Sequence, residues 1–167
     1  MHAITQANLE AAFAGESQAH IKYMIFADQA EKEGYPQIAR LFRAISFAEQ
    51  VHATNHLRQL GGIGSTAANL QAAFGGEHYE NTEMYPAFDA VARQQAEKGA
   101  MLSIHYALEA EKIHEKMYTD AKALADAGKD MQSSPVYICP TCGFTVIGEP
   151  PEKCPVSGTQ KESFVKF

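Results

Sequence analysis

Glu49-Gln50-Val51-His52 and Glu111-Lys112-Ile113-His114 repeat one step, Glu-x-x-His, inside two strongly helical runs. At i and i+3 the carboxylate and the imidazole share a helix face, so both reach the same point. Such a pair is half of a good site for iron, manganese or zinc. Other helical stretches carry Glu16 and Glu80-Asn81-Thr82-Glu83. A Glu from each of two helices, with Glu-x-x-His from each of two more, is the ligand pattern of a carboxylate-bridged di-iron bundle. One Glu-x-x-His alone reads as well as a solvated helix face. Two of them, joined by Glu16, Glu80 and Glu83, do not: that many ionisable groups turned into a bundle core are costly without a metal.

Working outward, apolar spacing predicts a helix over 5–33, with Thr5 as its cap, and a second over 37–60. Gly34-Tyr35-Pro36 separates them, Pro36 suiting a first helical turn. So short a connection makes the two helices antiparallel neighbours. Gly61-Gly62-Ile63-Gly64 ends the second helix, and 67–75 is ambiguous: a short helix from Thr66, stopped or only weakened at Gly75-Gly76, serving as a crossover. A third main helix is expected over about 77–98, kinked by Pro86, and a fourth over about 100–127, ended by Gly128. The two pairs look alike. Ala30-Glu31-Lys32-Glu33-Gly34 precedes the first Glu-x-x-His, and Ala96-Glu97-Lys98-Gly99 precedes the second, which implies a duplication.

The chain has 167 residues, room for one full core and a small appendage. A net charge of −6 disfavours nonspecific nucleic-acid binding. No apolar run is long enough to span a bilayer. Met1-His2-Ala3-Ile4-Thr5 lacks the basic-then-apolar pattern of a signal peptide, so a cytoplasmic location is expected. All three cysteines follow residue 138, two as Cys139-Pro140-Thr141-Cys142. In a reducing compartment that spacing indicates metal or redox work. The expected division is a helical domain over 1–128, a polar linker over 129–134, and short strands and turns over 135–167. The last segment is too small to hold a core without a staple such as a metal.

Taken together, Glu16, Glu49-x-x-His52, Glu80-x-x-Glu83, Glu111-x-x-His114 and the Cys-Pro-Thr-Cys-Gly knuckle resemble rubrerythrins over essentially the whole chain. The resemblance implies a mainly α fold: a ferritin-like four-helix bundle followed by a small rubredoxin-like metal domain. It also implies two iron ions in the bundle. Glu49 and Glu111 would bridge them, Glu16 would be a terminal ligand of one, and Glu80 with His114 of the other. Glu83 and His52 would compete for the first iron according to its oxidation state, carboxylate suiting ferric and imidazole ferrous iron. Tyr23 and Tyr106 are placed to hydrogen-bond ligand carboxylates, although buried tyrosines are also ordinary core residues.

In the tail, Cys139 and Cys142 form half of a thiolate site for iron or zinc. The matching half should read Cys-Pro-x-Cys-Gly and reads Cys154-Pro155-Val156-Ser157-Gly158. Three outcomes stay open at the fourth position: Ser157 ligates, water fills the place, or the site is structural and holds zinc or nothing.

The activity implied is a peroxidase, reducing hydrogen peroxide to water, with electrons entering through the cysteine site from a rubredoxin or an NAD(P)H-dependent rubredoxin reductase. The assembly implied is a homodimer or larger, and the crossover over 61–75 is a place where hairpins exchange between copies. The rival reading is a ferroxidase or iron-storage protein. A module with purely structural zinc is a third, and leaves Glu83 without a purpose.

Overall fold

A computed structural model describes Met1–Phe167. The fold class is mainly α, with a three-stranded sheet at the C-terminal end. Two compact units divide the chain, Met1–Gly64 and Ser65–Phe167.

The first unit is a helical hairpin of α1 (Ala3–Lys32) and α2 (Pro36–Gln59). Small residues set its closest approach: Ala27, Ala30 and Ala39 are buried, with Phe42 packed against them. The turn is a Schellman cap. Tyr35 N–H donates to the Ala30 carbonyl at 2.8 Å and Gly34 N–H to that of Glu31 at 3.0 Å. This places residue 34 at φ +84°, where glycine has no Cβ penalty. Pro36 opens α2 as expected; Thr5 lies inside α1, and His2 is at its N-cap. Further along, the fully buried Ser46 donates to the His20 carbonyl at 2.8 Å, and His20 Nδ1 lies 2.9 Å from the Ser46 carbonyl. His20 thus ties the two helices together.

The second unit begins with one long helical run in three parts. α3 (Thr66–Tyr79) is capped by Ser65, whose side chain accepts from Ala68 N–H at 3.3 Å. A π turn covers Glu80–Met84, and α4 covers Tyr85–Gln94. Of the two outcomes left open at Gly75-Gly76, the helix runs on through both glycines. Each glycine costs a helix about 1 kcal/mol relative to alanine, and packing of the run along α5 (Lys98–Asp126) outweighs it. Nor does Pro86 end the helix. It falls in the first turn of α4, just past the widened π turn, where the ladder of i to i−4 bonds is already interrupted. The helix stops instead at Gln94. The turn into α5 repeats the first hairpin's cap, with Glu97 N–H on Ala92 and Ala96 N–H on Arg93, but residue 96 is an alanine at φ +57°. Gly99, expected at the turn, is inside α5.

β1 (Val136–Ile138) is central, antiparallel to β2 (Thr145–Ile147) and to β3 (Val165–Lys166); Tyr137 lies opposite Val146 and Lys166. Its core is Cys139, Cys142, Cys154 and Phe164. The knuckle packs onto α5: a Cβ on Gly143 would sit 3.5 Å from that of Ala110, and Tyr106 packs against the cysteine cluster.

Candidate metal centres

In the first unit Glu16 projects from α1, and Glu49 and His52 from α2, with ligand atoms all within 4.8 Å of one another. His52 Nδ1 lies 2.9 Å from Glu49 Oε2 and 3.7 Å from Glu16 Oε1. Two carboxylates and one imidazole suit iron or another divalent first-row ion.

The second unit holds the matching set: Glu77 from α3, Glu111 and His114 from α5, again within 4.8 Å. Here the acid grouped with Glu111 and His114 is Glu77, where Glu80 was expected. Glu77, one turn before Glu80, stands in the donor set. Glu80 is half-buried beside it, and burial, then the negative charge of Glu111, raises its pKa. Glu83, beyond the π turn's opening, is exposed. A residue the sequence reading passed over, Tyr85, stands near the same acids; burial, then Glu80, Glu111 and Glu77, raises its phenol. Glu77 itself was legible as the first acid of Gly76-Glu77-His78-Tyr79-Glu80, which repeats the Glu-x-x-Glu step one turn earlier.

His114 Nδ1 lies 2.6 Å from Glu111 Oε2. That hydrogen bond raises the imidazole's pKa and, reciprocally, lowers that of Glu111. Burial, then a hydrogen bond to Glu111, lifts Glu77 to about 7. Without metal, therefore, a proton sits where a cation fits, which is the usual competition between protons and metals for such donors. The far nitrogen of His114, Nε2, lies 2.8 Å from Thr145 Oγ1, whose hydroxyl donates to the Gly143 carbonyl at 2.9 Å. With its own hydrogen committed, Thr145 accepts from Nε2–H. This leaves Nδ1 as the ligating nitrogen, the role such outer partners play at metal sites. The bond also joins the imidazole to the knuckle three residues from Cys142.

Other candidates have quieter places. Tyr23 belongs to an aromatic cluster, its ring centroid 6.3 Å from Phe26 and 6.1 Å from Phe42. Tyr106 packs on the cysteine cluster. His78 stacks on Phe74 and lies 3.0 Å from Glu115, which also accepts from Asn81 at 2.8 Å.

The third donor set is Cys139, Cys142 and Cys154, all buried and all free thiols. Burial opposes ionisation of Cys139, but hydrogen bonds from Ser157, Thr159 and backbone N–H groups outweigh it and bring the thiol to about 6; burial pushes Cys142 up to about 11. A buried thiol this acidic among two others is a thiolate donor set suited to iron or zinc.

The rubrerythrin family model matches residues 7–122. Rubrerythrin-2 of Clostridium acetobutylicum is 44% identical, the alignment covering 99% of this chain and 98% of that one. Nigerythrin of Nitratidesulfovibrio vulgaris is 37% identical over 98% of this chain and 86% of its own. Among solved structures, the fully reduced, all-ferrous state of nigerythrin superposes with a TM-score of 0.59 at 34% identity, covering 98% of this chain and 86% of that one.

Proposed function

The chain belongs to the rubrerythrin family, and from that premise and the three donor sets we propose that it reduces hydrogen peroxide to water at a pair of bound irons. The coarser statement, an iron-binding oxidoreductase of the peroxidase type, follows from family membership. The observation that carries the finer reading is the duplicated set of two carboxylates and one imidazole, with the second imidazole tied through Thr145 to the cysteine knuckle.

Reduced iron supplies the two electrons that cleavage of the O–O bond consumes: one peroxide, two electrons and two protons give two waters. The chain's own residues do the rest. Glu49, with Glu16 and His52, would hold one iron, and Glu111, with Glu77 and His114, the other. Glu80, half-buried beside Glu111 and His114, would supply the further acid expected of Glu83. Thr145 holds the His114 ring and gives electrons a hydrogen-bonded route from Cys142 through the Gly143 carbonyl.

The donor in this reading is a rubredoxin or an NAD(P)H-dependent rubredoxin reductase, and the working form is a cytoplasmic homodimer, built with or without exchange of hairpins. In this reading the functional division is 1–128, 129–134 and 135–167, distinct from the two compact units. The test is anaerobic peroxide consumption by iron-loaded protein supplied with reduced rubredoxin. Catalytic loss of peroxide at two electrons each supports the reading. Inertness toward peroxide, with oxygen-driven uptake of many irons per chain, replaces it with ferroxidase and storage.

A further inference from the structure

The fourth position of the cysteine site is filled by an oxygen. The two knuckles are built alike: Gly143 N–H donates to the Cys139 carbonyl at 3.0 Å, and Gly158 N–H to that of Cys154 at 2.9 Å. Gly143 and Gly158 share nearly the same left-handed backbone, φ +79° and +76°. Ser157 therefore stands where Cys142 stands in the other knuckle. Its Oγ lies 3.3 Å from Cys139 Sγ, while Cys142 Sγ and Cys154 Sγ lie 3.4 Å apart. These are two opposite edges of a four-donor tetrahedron. With metal–sulfur bonds of about 2.3 Å and a metal–oxygen bond of about 2.0 Å, a sulfur–oxygen edge comes to about 3.5 Å. The donor set thus fits an ion.

The hydroxyl's direction fits as well. Thr159 Oγ1 donates to Thr141 Oγ1 at 2.8 Å and lies 2.8 Å from Ser157 Oγ. Ser157 Oγ thus stands between Thr159 Oγ1 and Cys139 Sγ, held on the side where an ion among the sulfurs would meet it. Thr159 N–H, 3.4 Å away, holds the same oxygen from the backbone side. A serine with no part in the site has no need of this anchoring and would turn to solvent.

We propose that Ser157 Oγ is the fourth donor of a three-sulfur, one-oxygen metal site, and that Thr159 is the residue that positions it. This goes beyond the peroxidase reading and does not depend on it, because its test reads the metal's surroundings and not turnover. Full-length protein loaded with cadmium-113 is followed by its NMR resonance, which separates a sulfur-rich site from the carboxylate–imidazole sites. Wild type should give a three-sulfur, one-oxygen resonance. S157C should move it strongly toward the four-sulfur range. S157A should shift the resonance and weaken cadmium binding at this site at least tenfold. T159V should shift it too, and T159S should restore the wild-type value. If S157A keeps the wild-type resonance and affinity, solvent is the fourth ligand and the proposal fails. Should S157A not fold, T159V decides: a resonance identical to wild type overturns the positioning of Ser157.

Discussion

The two half-sites are copies in composition and opposites in support. His52 and His114 each follow a glutamate by three residues and lean on it. His52 is 53% exposed, with only Glu49 and Glu16 beside its Nδ1, whereas His114 is 26% exposed and anchored at both nitrogens. The two donor sets match in composition, and the knuckle packs against one of them. An imidazole free at its far edge can leave and rejoin an ion. One held by a threonine stays.

The largest effect separates the two histidines. H114A should lose peroxide turnover by more than the ~100-fold at which outer partners of ligands usually stop, with metal lost from its half-site. H52A should retain its metal and lose less; equal losses would break the contrast. Next comes the anchor. T145V should cost ~10–100-fold in turnover or metal affinity, read by metal titration and peroxide assay, with T145S close to wild type. Between the acids of the π turn, E80Q should slow turnover ~10-fold, the low end for groups that support a metal site from outside its ligands, while E83Q should be silent in the same assay.

A pH effect is expected of the second half-site. Folded, metal-free protein keeps a proton on Glu77 up to about 7, against 4.5 for an ordinary glutamate. Through that window the folded state binds more protons than the unfolded one, so stability falls as pH rises. Thermal melts of the metal-free protein between 4.5 and about 7 should show the slope, and E77Q should flatten it, leaving the smaller share of Glu80 and His114. Smallest is the contrast of turns. G34A should destabilise the chain by about 1 kcal/mol, and A96G should stabilise it by somewhat less, since both positions are left-handed and only one is glycine. Denaturant melts resolve both.

Much of this was legible in the sequence. Helical spacing, the Schellman glycine at 34 and the two Glu-x-x-His steps place four helical runs and five of the six carboxylate–imidazole donors. Glu77 was missed because the choice between successive Glu-x-x-Glu turns depends on helix register, and the reading started its helix at Glu77 itself. The π turn shifts that register and has no pattern of its own. Gly75-Gly76 was left open because propensity is local, while packing along α5 is not. The Thr145–His114 bond joins residues 31 apart and carries no periodic signal at all. Ser157, by contrast, stood out as a departure from its own knuckle, but only the Thr159–Thr141 chain shows which way its oxygen faces.

The most direct measurement is a rapid-mixing experiment on anaerobically reduced, iron-loaded protein, following ferric absorbance after one equivalent of hydrogen peroxide or, separately, of oxygen. The account predicts oxidation by peroxide far faster than by oxygen, with two irons oxidised per peroxide. Faster oxidation by oxygen, or absorbance that keeps growing as further iron is supplied, would contradict it.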